Sequence, residues 1–90
     1  MKVKDMKLSV GVSGFDVKVK IQKVFNRIQG SGEYGSYSFQ KLIVEDETGA
    51  IPCDLRNQNE ISPVDVGKYL VIKCKNVRGS MMGTKIDVDT

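Results

Sequence analysis

Apolar and polar residues alternate from Val17 onward: Val17, Val19 and Ile21 interleave with Lys18, Lys20 and Gln22. A period of two predicts a strand with one buried face. The alternation slips at Lys23 and Val24, after which Val24, Asn26 and Ile28 continue on the opposite parity. One extra residue of this kind marks a β-bulge, and a long first strand bent at a bulge suits the closing of a small barrel. With that single slip, Phe25 and Arg27 point outward. The Gly/Ser-rich stretch QGSGEYGSYS reads as a loop of about ten residues. FQKLIVED reads as a second strand, and Asp46-Glu47-Thr48-Gly49 as a tight turn, with Asp capping it through its carboxylate and Gly taking the conformation other residues avoid. A third strand follows at once as AIPCDLR, with Ile51, Cys53 and Leu55 on one face and Pro52, Asp54 and Arg56 on the other. Pro52 has no N–H to donate, which predicts a free strand edge there. Ser62 and Pro63 suit the cap and first position of one helical turn that Gly67 ends. KYLVIKCKNV is a fourth strand with Leu70, Ile72 and Cys74 facing one way and Lys73 and Lys75 the other. RGSMMG is a loop, and TKIDVD a fifth strand with Ile86 and Val88 inward.

These elements predict an all-β domain: a five-stranded closed barrel with one short helical turn between strands three and four, and no βαβ rhythm. Residues 1–90 are expected to form one domain, with residues 1–14 an extension leading into the first strand. The longest unbroken apolar run is Tyr69 to Ile72, so no helix is expected to span a membrane, and the N-terminus lacks an apolar stretch of signal-peptide length. A soluble intracellular protein of the cytoplasm or nucleoid is expected, with no membrane partner.

Charge adds a direction to this picture. Residues 1–30 carry seven basic and two acidic side chains, residues 31–60 two and six, and residues 61–90 five and three. Such blocks can present a basic face to an acidic polymer, although a solvated mixed surface explains them as well. The chain has no histidine, and its two cysteines, Cys53 and Cys74, stand alone among alternating apolar residues. Zinc takes about four N or S ligands, so no metal site is expected; both cysteines suit core positions, and a disulfide is permitted but not required. Serines without a histidine to activate them, and cysteines that read as core side chains, argue against nucleophilic catalysis. A binding protein rather than an enzyme is expected, with no cofactor.

The order of the motifs is similar to that of a known family. Val44-Glu45-Asp46-Glu47-Thr48-Gly49-Ala50-Ile51 resembles the L-V-D-E-S/T-G-x-I hairpin of the single-stranded-DNA-binding domains of the replication protein A family. Ahead of it, VKDMKLSVGVSGFDVKVKI is a loose version of the family's I-K-D-L-x-x-G leader and alternating strand. After it, NQNEISPVDVGKYLVIKCKNV is close to N-x…G-x-x-V-x-I-K-N-A/V. The resemblance runs over nearly the whole chain and implies an OB-fold Greek-key barrel. The implied function is single-stranded DNA binding with little sequence specificity, in replication, recombination or repair. One departure is specific: Arg56 precedes Asn57, where the family often has an aromatic that stacks on a base. A guanidinium plane also stacks, and adds charge.

Single-strand binding needs cations along the backbone track and flat side chains for the bases. Phe25, Arg27, Tyr34, Tyr37, Lys41, Arg56, Arg78 and Lys85 supply both, on the outer face of strands one to three and on the loops after strands one and four. Tyr34 and Tyr37 are equally readable as loop aromatics tucked against the barrel, and Phe25 as a cover for a barrel end. Lys18 and Lys20 read as a solvated strand face, and Met81 and Met82 as loop packing. GSGEYG is a literal G-x-G-x-x-G after a strand, but a β-rich run follows it where a dinucleotide fingerprint requires a helix. Glu45, Asp46 and Glu47 fit no EF-hand spacing and read as turn chemistry. The partners implied are single-stranded DNA or RNA, and other OB-fold domains or replication and repair proteins. The alternatives are an RNA-binding barrel and a protein-interaction module.

Overall fold

A computed structural model describes residues 2–56, 60–80 and 83–89, and it closes five strands into one barrel. The strands are β1 (Phe15–Gly32), β2 (Gly35–Asp46), β3 (Gly49–Leu55), β4 (Tyr69–Ser80) and β5 (Gly83–Asp89), in the order β1-β2-β3-β5-β4. All pairings are antiparallel except β3 with β5. Val17, Val19, Ile21, Leu42, Val44, Ile51, Cys53, Leu55, Ile72, Cys74, Val77, Ile86 and Val88 fill the interior. The alternating residues of every strand thus supply the core. Burial pushes the thiols of Cys53 and Cys74 above the ordinary cysteine range, and both are free.

The expected bend in β1 is there, but it is made of two bulges. Ile21 pairs with Val44 and Lys23 with Ile43, so Gln22 is one extra residue; Val24 pairs with Leu42 and Arg27 with Gln40, so a second extra residue sits at Phe25–Asn26. The second slip reverses the first. Ile28 therefore shares a side with its partner Phe39 and is 43% exposed, where one slip predicted it inside. Arg27 shares the inner side with Gln40, where one slip predicted it outside. Gln40 explains why the second bulge holds. Its buried amide donates to Phe25 O, which the bulge takes out of the ladder, and to Ile61 O, and its carbonyl accepts from Ile61 N–H.

The Gly/Ser stretch is a second correction. It is not a loop: Gln29 to Gly32 pair with Ser38 to Gly35 in unbroken register, and only Glu33 and Tyr34 turn the chain. Gly35 closes that turn at φ +109°, a conformation L side chains avoid. Gly30 matters for another reason, since a Cβ there would sit 2.5–2.6 Å from the phenol end of Tyr37 and displace it. Likewise β4 and β5 extend through Arg78–Ser80 and Gly83, shortening the predicted loop; Met81 and Met82 lie outside the described residues. β4 carries its own irregularity between Cys74 and Asn76, which brings Val77 inside.

Local signals held elsewhere. Ser62 Oγ accepts from Val64 N–H and caps a 3₁₀ turn at Pro63–Asp65. β5 meets β3 only from Cys53 onward, so Pro52 lies where β3 has no second neighbour. In the second hairpin, Asp46 Oδ1 accepts from Thr48 N–H and Oγ1, and Oδ2 from Val3 N–H. Burial pushes the Asp46 carboxyl up, but these hydrogen bonds outweigh it and hold it below the ordinary carboxylate range. Val3 belongs to a four-residue helix, α1 (Val3–Met6), whose Val3 and Met6 are fully buried against the barrel. Lys4 N–H donates to Thr48 Oγ1, and Lys2 pairs with Glu47, so the turn's polar groups satisfy the start of this helix. The chain then runs beside β4, where Gly11 N–H donates to Val77 O, Val77 N–H to Val12 O, and Gly14 N–H to Cys74 O. Among the described residues, no helix is long and apolar enough to cross a membrane.

Candidate nucleic-acid interface

Inward parity on β2 belongs to Gln40, Leu42 and Val44, so Tyr37, Phe39 and Lys41 share its outer face. Tyr37 is half exposed and lies over Gly30 of the neighbouring strand; its ring stacks on Phe39 with centroids 6.4 Å apart and planes at 29°. The Arg56 guanidinium lies 4.8 Å from the Phe39 centroid. Beside this row, the bulge sets Phe25 on the same face, with the Lys23 ammonium 5.0 Å and the Lys41 ammonium 5.7 Å from its ring centroid. Three rings and their covering cations thus form one continuous patch across β1 and β2.

The patch continues across β3, β5 and β4 as an ion network. Asp54 is paired with Lys41 on one side and Asp87 on the other, and Arg78 faces Lys85 one step along. The Asp54 side chain is 2% exposed, and its Oδ2 accepts from Arg78 Nη2 at 2.8 Å and Lys85 Nζ at 3.0 Å, with Arg56 Nη2 at 3.6 Å. Asp87 Oδ1 accepts from Arg56 Nε at 3.2 Å. Arg78 Nε lies 2.9 Å from Asp87 Oδ2 without hydrogen-bonding geometry. A carboxylate this buried costs several kcal/mol to desolvate unless it is well paired, roughly as here. The network does not neutralise the face. Lys23, Lys41, Arg56, Arg78 and Lys85 stand against Asp54 and Asp87, a balance of +3, and the carboxylates hold the long cations in fixed positions with one side to solvent.

Six of the eight residues singled out in the sequence, Phe25, Tyr37, Lys41, Arg56, Arg78 and Lys85, therefore lie on one face. Tyr34 is separate, at the tip of the β1–β2 hairpin and 98% exposed. Arg27 is elsewhere: its side chain is 11% exposed, Nε pairs with Glu60 at 3.0 Å and Nη1 donates to Ser38 Oγ at 3.1 Å. Phe39, Lys23 and the carboxylates of Asp54 and Asp87 were missed. Phe39 was within reach, since it shares parity with Lys41; the Asp54 network pairs residues far apart in sequence and left no local signal.

No protein-family model matches the chain, and no curated protein matches it in sequence. Among solved structures, the second OB-fold domain of replication protein A from Methanococcus maripaludis matches 100% of this chain and 91% of that one, with a TM-score of 0.78. The chain has the OB fold. At 21% identity the likeness speaks to the fold, which is also the fold that the order of motifs in the sequence implied. In this OB barrel the aromatic and basic residues lie on the outer face of β1–β2–β3 and run on to the β4–β5 side. Barrels of this type hold oligonucleotides and oligosaccharides on the face of strands two and three and at the loops after strands one and four.

Proposed function

We propose that this OB domain binds single-stranded DNA with little sequence preference, through the face that carries Phe25, Tyr37, Phe39, Lys41, Arg56, Arg78 and Lys85. The observation that supports this most is the alternation of rings and cations on one surface: Tyr37 stacked on Phe39, Arg56 over Phe39, and Lys23 and Lys41 over Phe25. Rings of this kind stack on any base, and the cations replace counterions along the phosphates. Tyr34, at the hairpin tip, is placed to reach over a bound strand, and Arg27 acts in this reading by fixing the segment at Glu60 rather than by touching nucleic acid. The replication protein A domain it resembles supports a role in replication, recombination or repair, alongside other OB domains or repair proteins.

A surface balance of +3 corresponds to about three neutralised phosphates, and so to a log–log salt slope of roughly −2 for a single strand. Fluorescence anisotropy with labelled oligo-dT should show affinity falling about 20-fold between 50 and 200 mM salt. Absence of binding at low salt, or binding indifferent to salt, overturns the reading. Competition by oligo-U separates DNA from RNA, since a 2′-hydroxyl reader is what distinguishes them.

A further inference from the structure

The outer row of β1 does not stop at Phe25. Toward the start of the strand it runs on through Lys23, Lys20 and Lys18, while Val17, Val19 and Ile21 fill the core between them. β1 serves two seams: Lys20–Gly32 pairs with β2, and Phe15–Lys20 with β4. In the closed order β1-β2-β3-β5-β4, the β1–β4 seam lies across the barrel from β3. The two bulges carry β1, and its lysines, from one side to the other.

At that seam Lys20 stands opposite Tyr69 and Lys18 opposite Val71. Tyr69 is 65% exposed and Val71 59%, and the Lys18 ammonium lies 5.4 Å from the Tyr69 ring centroid. This repeats the cation-on-ring unit at Phe25. A groove of about 730 Å³ runs beside Tyr69, lined by Lys2, Lys18 and Lys20 together with Asp16, Glu45, Asp46 and Glu47. Lys2 is paired with Glu47, and Lys20 neighbours Glu45, while the Lys18 ammonium stays over the Tyr69 ring.

We propose that a bound single strand continues past Phe25 along the lysines of β1 and meets a second stacking platform at Tyr69. This rests on the single-strand reading of the front face and extends its length. Lys18 lies seven residues before Phe25, about 20 Å along a bent strand. The added path moves the footprint from the short end of the roughly 4–16 nucleotides that one barrel covers toward the middle of that range.

Anisotropy titrations of the full chain with oligo-dT of about 6 and about 16 nucleotides test this. Tyr69→Ala is expected to weaken the long oligonucleotide at least about 5-fold and leave the short one within error. Lys18→Ala should lower the salt slope by about 0.7 for the long one alone. Because both side chains face solvent, circular dichroism should report an unchanged fold. If the long oligonucleotide binds both variants as it binds the parent, or if both lengths weaken alike, there is no second platform. A parent protein that binds neither length overturns the front-face reading itself, a result distinguishable from loss of the extension alone.

Discussion

Tyr37→Ala separates stacking from charge on the front face. Tyr37 is half exposed, lies over Gly30 and stacks on Phe39, so truncation removes a flat surface and leaves every cation in place. Loss of one base–aromatic stack is worth about 1–3 kcal/mol, which is roughly a 5- to 150-fold weaker oligo-dT complex. The loss of the Tyr37–Phe39 pair costs a further 0.5–1.5 kcal/mol or so of folding stability, too little to unfold the barrel. Anisotropy at three or more salt concentrations, well below the melting temperature, should show the affinity line displaced downward with its slope still near −2. Tyr37→Phe keeps the ring face and should bind within about twofold of the parent. If Tyr37→Phe is as weak as Tyr37→Ala, the hydroxyl matters and stacking is the wrong account. A changed slope would mean that the ring works by positioning cations.

Other substitutions probe the remaining parts. Gly30→Ala drives a methyl into the Tyr37 ring and should cost affinity comparable to Tyr37→Ala with little loss of melting temperature, because the displaced ring can swing into solvent. Lys41→Ala should lower the salt slope by about 0.7, measured by the same anisotropy series. Asp54→Asn removes the buried negative charge that Arg78 and Lys85 share and turns one of its acceptor oxygens into a donor, and should cost about 1–3 kcal/mol in urea unfolding. Asp46 carries its proton less readily folded than unfolded, so its contribution to stability is complete above its ordinary value of 3.8 and is lost as pH falls through the lower folded value. Asp46→Asn should therefore flatten the acid limb of a plot of stability against pH, and lower stability at pH 7.

What the sequence revealed was whatever residues decide with their neighbours. The Asp46–Gly49 turn, the Ser62 cap, the inward parity of Ile51, Cys53 and Leu55, and the edge at Pro52 each depend on a few adjacent positions, and each stands in the barrel. The Gly/Ser stretch misled because its residues pair in unbroken register with Gly35 to Ser38, and turn-forming composition is silent about a partner strand. Arg27 was misdirected by the second bulge, whose cause is a buried glutamine, Gln40, that lies fifteen residues after Phe25. The helix at Val3–Met6 is too short to show a helical period, and it forms because the distant Asp46 and Thr48 satisfy its first N–H groups. On the candidate face, the residue types and the outer side they share were legible, and the ion network that joins them was not. Asp54 gathers Arg56, Arg78 and Lys85 only once β3, β5 and β4 are side by side.

An NMR titration of the ¹⁵N-labelled domain with a short oligo-dT asks most directly whether one outer face takes a single strand. The account predicts concerted shifts at Phe25, Tyr37, Phe39, Lys41, Arg56, Arg78 and Lys85, with the Pro63–Asp65 turn and the Leu8–Val12 arm unmoved. Shifts concentrated on that turn and arm, or none at saturating oligonucleotide and low salt, would contradict it.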